Sequence, residues 1–376
     1  MTAFGLPTKN RASPRVRQSS PHSHHNLSTM QRQRSTLPYP YVMQISTTTT
    51  VSVGVPGKMT RNNPYTSSFD GFIEPLFPNQ KVLDIQTYDE DPHPHYLLHM
   101  SGGTELALKT STRQPETVLY YERHALEVEA HVLLLLESSE IWCIPKLIRC
   151  EVAPSSPAVT CLLRYKCPGT PLSEIKEKLT PEELSRIDKQ LGIAVDQIGQ
   201  HTATKFGPVH DICMGRGERT WKHAFLNLLE SLLWNAENML ISLPYFEIRH
   251  QASRLSAVFD AVTEPRLILY NISQPSHIII DPETKDISGI IDFTAATWGD
   301  VLMTDIFENP SADILKGYGS DPTRDGFAPI RLLFYSCYRN ILKIVKQYYR
   351  NQGHEEELRV RKALMSNLAS ITEYCP

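Results

Sequence analysis

Apolar positions change their period once along this chain, and the change divides it in two. Over residues 81–88 apolar and polar residues alternate as in a strand, and the turn-rich Asp89-Glu90-Asp91-Pro92-His93-Pro94 follows. Residues 95–100 and 105–109 flank Ser101-Gly102-Gly103-Thr104, a hairpin signal. Alternation in the second of these strands puts Ala107 and Lys109 on one face and Leu106 and Leu108 on the other. Residues 122–136 turn helical, with Leu126, Leu133 and Leu136 as apolar positions and Glu122, Glu127 and Glu129 as carboxylates. Two further strands, 143–151 and 159–165, are parted by Pro154-Ser155-Ser156-Pro157.

After Pro168-Gly169-Thr170-Pro171 the pattern becomes mainly helical. Thr180-Pro181-Glu182-Glu183 supplies an N-cap, a proline in the first turn and a glutamate three residues on. The helix it starts runs through Leu184, Ile187, Leu191, Ala194 and Ile198 to about residue 201. Trp221, Phe225, Leu228, Leu229 and Leu232 mark a second helix, which reads as core. Two apolar runs interrupt, His277-Ile278-Ile279-Ile280-Asp281 and Ser288-Gly289-Ile290-Ile291-Asp292-Phe293, around the turn Asp281-Pro282-Glu283-Thr284. Residues 330–349 and 355–374 return to helix. The predicted fold is α+β in two lobes. Residues 66–166 form a small antiparallel sheet with one helix, and residues 167–376 a large, mostly helical lobe with a functional hairpin in 266–300.

Composition separates off the N-terminus. No Asp or Glu precedes Asp70, while arginines, serines and threonines are frequent. Residues 1–65 are expected to be a disordered tail, since they hold too little apolar surface to offset their ordering entropy. An acid-free, Arg/Ser-rich start also fits a mitochondrial transit peptide, or translation that begins at Met43 or Met59. A net charge of -3 gives no whole-chain argument for nucleic acid or an acidic membrane surface, and neither is expected as a partner. The seven cysteines form no CxxC pair, so reduced thiols in a cytoplasmic setting are expected, with no disulfide framework and no zinc site. No apolar run reaches the length of a membrane span.

The hairpin would carry His277 and Asp292 to one end, fifteen residues apart. With ELALK, ALEVEAHVLLL, LLRYKCPGTPL, LGIAVDQIGQH plus FGPV, SHIIIDPETKDISGIIDF and WGD, the chain resembles the aminoglycoside phosphotransferase and choline-kinase-like family, in its fungal type, within the protein-kinase-like superfamily. The resemblance implies ATP, Mg2+ and a small-molecule hydroxyl acceptor. It implies that Lys109 reaches the nucleotide phosphates, held by Glu129 or, second, Glu127. Asp292 would ligate magnesium, with His277 where the family usually has asparagine. Asn271 stands where the family has its catalytic aspartate, Leu269 where it has histidine, and one extra residue separates Asn271 from His277.

Simpler readings stand beside these: a solvent-exposed lysine at a strand end, a turn-capping aspartate, a hydrogen-bonded histidine in a turn. An amide cannot accept a proton, so general-base help worth about 10²–10⁴-fold is missing at Asn271. The acidic, proline-containing turn at 89–94 reads as solvated, because acids repel phosphates and prolines donate nothing. Two functions follow. One is ATP- and Mg-dependent phosphoryl transfer to a small-molecule hydroxyl. The other is a pseudokinase that binds or regulates with little or no catalysis. Asp300 and Asp305 are expected to tie the loop after Asp292 to the large lobe, and His201 to pack.

Overall fold

The computed structural model describes residues 72–88, 92–111, 118–153, 159–350 and 356–375. The expectations for residues 1–65, for Asp89-Glu90-Asp91 and for the break at 154–157 lie outside these residues.

Five antiparallel strands make the first sheet. They are β1 (Val82–Tyr88), β2 (His95–Met100), β3 (Glu105–Thr110), β4 (Leu147–Ala153) and β5 (Val159–Tyr165), in the order β1-β2-β3-β5-β4. Leu106 and Leu108 of β3 enter a core with Tyr96, Leu98 and Leu163. Alternation then sends Lys109 to the other face. There α1 (Ala125–Glu137) covers the sheet, entered through a 3-10 turn, Tyr120–His124. Leu126 and Ala130 of α1 pack on Leu162 of β5, while Val128, Val132 and Leu136 join the large core of the second lobe. One helix thus contacts both lobes.

The second lobe begins with β6 (Thr170–Pro171), followed by α2 (Pro181–Gly199), β7 (Gly207–Pro208), α3 (Trp221–Asn238) and α4 (Tyr245–Arg254). Then come β8 (Arg266–Leu269), β9 (Ile278–Ile280), β10 (Ile287–Ile290) and β11 (Ala296–Gly299). The helices α5 (Ala312–Tyr318), α6 (Ala328–Tyr349) and α7 (Glu357–Glu373) complete it. The strands form two small sheets, β10-β9-β6 and β7-β11-β8. The predicted cap of α2 is present: Glu183 N–H donates to Thr180 Oγ1 at 3.2 Å, and Thr180 N–H donates to Glu183 Oε2 at 2.8 Å. The hydrophobic pattern marked neither α4 nor α5. α4 buries only Ile248, Gln251 and Ala252, too few to print a helical period.

The Trp-Gly-Asp motif is structural. A Cβ on Gly299 would lie 2.4 Å from the ring of Trp221, so only glycine lets β11 approach α3 this closely. Trp221 Nε1 donates to Tyr335 OH at 2.7 Å, and Tyr335 donates to Asp300 Oδ2 at 2.6 Å. Arg331 Nη1 donates to the same oxygen at 2.7 Å. Asp300 thereby binds the loop after Asp292 to α6. Asp305 acts elsewhere: it accepts from Ser273 N–H at 3.2 Å and from Ser273 Oγ at 2.6 Å, pinning the turn after β8. Among the described residues no helix is long and apolar enough to cross a membrane.

Candidate functional site

Lys109 sits at the inner face of β3 with 2% of its surface exposed, and Glu129 of α1 is fully buried opposite. Lys109 Nζ donates to Glu129 Oε2 at 2.7 Å. Glu127 points elsewhere and accepts from Thr160 Oγ1 at 3.0 Å. The choice between the two carboxylates follows from packing, since the α1 face that carries Glu129 is the one enclosed between the lobes.

The hairpin places the second half of the site. β9 and β10 pair antiparallel, and Ile291 N–H donates to His277 O at 2.9 Å just beyond their paired ends. His277 and Asp292 therefore emerge together, with Nε2 and Oδ2 3.6 Å apart. Asp292 has a left-handed backbone, φ 74°, which is strained for a non-glycine residue. Thr294 holds it there: its Oγ1 and N–H donate to Asp292 Oδ1 at 2.6 and 3.2 Å. Lys109 Nζ lies 3.8 Å from the same oxygen, so one ammonium stands between two carboxylates. Burial works against the Asp292 charge, but Lys109, His277 and the Thr294 donors outweigh it and hold the carboxyl well below the usual range.

Asn271 follows β8 in a tight turn, where its carbonyl accepts from Gln274 N–H at 3.1 Å and Gln274 O accepts from His277 N–H at 2.9 Å. Among the described residues no partner holds its side-chain amide. Leu269 is buried core at the end of β8.

No protein-family model matches the chain, and no curated protein matches it. Solved structures do. An aminoglycoside phosphotransferase, APH(4)-Ia, in a ternary complex with AMP-PNP and hygromycin B, superposes with a TM-score of 0.59 at 15% identity, covering 82% of this chain and 100% of that one. A second, ADP-bound APH(2'')-Ib, gives 0.52 at 13% identity over 81% and 99% of the two chains. A protein assigned as a fructosamine-3-kinase from Thermobifida fusca gives 0.55 at 14% over 82% and 99%. The fold is that of the aminoglycoside phosphotransferases. At such identities the likeness establishes the fold.

Within this kinase-like fold two residues join the cluster that the sequence pattern did not single out. His93 precedes β2 and is 7% exposed, and both of its ring nitrogens are buried without a hydrogen-bond partner. Burial lowers its pKa to about 4, and among its charged neighbours Lys109 pushes in the same direction while Glu122 and Asp292 oppose. The turn at 92–94 is thus not wholly solvated. A signal existed, since His93 shares the parity of His95, which pairs with Lys109 across β2 and β3. Arg164 of β5 is buried as well, with Nε 4.0 Å from Glu129 Oε1, and neither atom has a hydrogen-bond partner.

Beside the Asp292 loop lies a cavity of about 360 Å³. Thr294 contributes to its wall and Tyr270, next to Asn271, to its floor.

Proposed function

We propose that the protein is an ATP- and Mg2+-dependent phosphotransferase acting on a hydroxyl of a small molecule. The observation that carries this reading is Lys109 Nζ, held 2.7 Å from Glu129 and 3.8 Å from Asp292. Phosphoryl transfer needs fixed positive charge and positioning more than covalent chemistry. Glu129 fixes the ammonium so that it can meet the nucleotide phosphates. His93, with two orphaned ring nitrogens, fits a site that gains polar atoms on binding.

Among the described residues no group of three His, Cys, Asp or Glu is arranged around a metal position. A single carboxylate fits Mg2+, which keeps several waters and takes its other oxygens from nucleotide phosphates. Asp292 would hold the ion, and His277 would orient Asp292, since imidazole nitrogen is a poor magnesium ligand. Bound there, the ion supplies charge neutralisation for the transferred group. The acceptor would lie in the cavity walled by Thr294 and Tyr270, with its hydroxyl turned toward Asn271. Asn271 can orient that hydroxyl but cannot take its proton, so transfer is slow.

Asn271 and Leu269 favour a second reading, in which the fold binds nucleotide or partner and turns over little or nothing. A thermal-shift titration with ATP, with magnesium or with chelator, beside Asp292→Ala, tests the first. A magnesium-dependent rise in melting temperature, lost in the variant, supports a working site. A folded protein with no shift removes the ATP-dependent reading.

A further inference from the structure

The cavity beside the Asp292 loop has a chemistry of its own. Its apolar lining includes Val128, Phe206, Ala224, Leu228, Leu232 and Ala296. Its charged lining is two carboxylates, Asp211 and Glu218, against one guanidinium, Arg216. One of the two carboxylates is paired with the guanidinium, and the other meets, among the described residues, only a neutral amide. Arg216 Nη2 donates to Asp211 Oδ1 at 2.9 Å, and Asn227 Nδ2 donates to Glu218 Oε1 at 2.9 Å. His124 and His210 stack with centroids 3.9 Å apart and planes 1° apart. Burial first, and then His124, push the His210 pKa down, against Asp211 and Glu127.

Tyr338 contributes a hydroxyl to the wall. Tyr338 is 3% exposed, and among the described residues its hydroxyl has no hydrogen-bond partner. Its neighbour Tyr270, 6.0 Å away edge to face, has its own hydroxyl paired with Thr297 Oγ1 at 2.6 Å. A hydroxyl that lines a cavity and has no protein acceptor can donate to a ligand atom there.

We infer that the cavity takes a mostly apolar alcohol bearing a hydrogen-bond acceptor for Tyr338, and that it rejects polycations. That the ligand is an alcohol rests on the phosphotransferase reading; its charge and polarity do not. A molecule with several ammonium groups would need several unpaired carboxylates to offset its desolvation, and the lining provides only Glu218. A neutral apolar body meets the floor, and an ether, carbonyl or second hydroxyl oxygen meets Tyr338.

The test uses the full chain and a neutral fluorescent probe, N-phenyl-1-naphthylamine. Saturable binding is expected, with affinity lowered about tenfold or more in Leu228→Trp, a wall residue whose enlargement fills the space. Ala295→Leu serves as a second filling variant, and an unchanged melting temperature certifies the fold of each. Acetophenone, neutral with one carbonyl, is expected to displace the probe, and to do so about fivefold more weakly in Tyr338→Phe. Hygromycin B, a polycation, is expected not to displace it. Unchanged probe binding in both folded filling variants, or displacement by hygromycin B, would overturn the inference. Intact probe behaviour with no ATP–magnesium thermal shift would instead overturn the phosphotransferase reading and still support the ligand class.

Discussion

Arg350, at the end of α6, donates from Nη2 to Glu122 Oε1 at 2.8 Å, and so fastens the turn before α1 to the helical lobe. Lys346 Nζ lies 3.0 Å from the same oxygen, and the other oxygen accepts from Leu119 N–H at 3.0 Å. Burial opposes the Glu122 charge, yet Lys346 and Arg350 outweigh it and lower its pKa. Glu129 rides on the helix that this contact orients. The second lobe therefore takes part in placing Lys109, a residue of the first.

Glu122→Gln is expected to lower folding stability by about 3 kcal/mol, because it removes the buried carboxylate that Arg350 and Lys346 share. Urea unfolding of the variant measures this directly. A loss below the error of the measurement would mean that hydrophobic packing alone orients α1.

Glu129→Gln leaves Lys109 and Arg164 without the carboxylate they share, and frees Lys109 to swing toward Asp292. The expected result is ATP affinity weaker by about tenfold, or 1.4 kcal/mol, with Lys109→Met at least as severe. Calorimetric titration reads both. Glu127→Gln is the control and should bind as the wild type, since its carboxylate serves Thr160.

Asn271→Asp supplies the missing proton acceptor. If the site transfers phosphoryl groups, ADP release should rise by about 10²–10⁴-fold. A second variant, with Gln274 deleted as well, tests the extra residue in the turn. No gain in either would favour the binding protein over the slow enzyme.

His93 makes stability depend on pH in a definite window. Its folded pKa, about 4, lies below the ordinary 6.5 because burial dominates. Between these values the unfolded chain holds the extra proton and the folded one does not, so stability falls as pH falls from 6.5 to 4. The full effect is about 3 kcal/mol, and His93 adds no slope above that window. Asp292 also loses stability in acid, but below the ordinary carboxylate pKa. His93→Phe should flatten the difference curve between pH 4 and 6.5, measured by denaturant unfolding at each pH.

Much of the site was legible in the order of residues. The parity of β3 places Lys109 opposite Leu106 and Leu108, and the hairpin spacing brings His277 and Asp292 to one end. These are properties of single elements or of neighbours in sequence, and the period of the side chains reveals them. Asn271 is equally plain, because the chemistry of an amide does not depend on its surroundings.

The tertiary structure decided what lies across from each face. Glu127 and Glu129 are two residues apart on one helix, and only the packing of Leu126 and Ala130 on Leu162 turns Glu129 toward Lys109. Asp305 reaches back to Ser273 over 32 positions, and Glu122 meets Arg350 over 228. His93 is buried although its segment is polar, in reach of the charges of Glu122, Lys109 and Asp292. A local pattern reports which side of an element is apolar. It carries no record of which distant segment will cover that side, and burial, pairing and the mostly apolar lining of the cavity all arise from that covering.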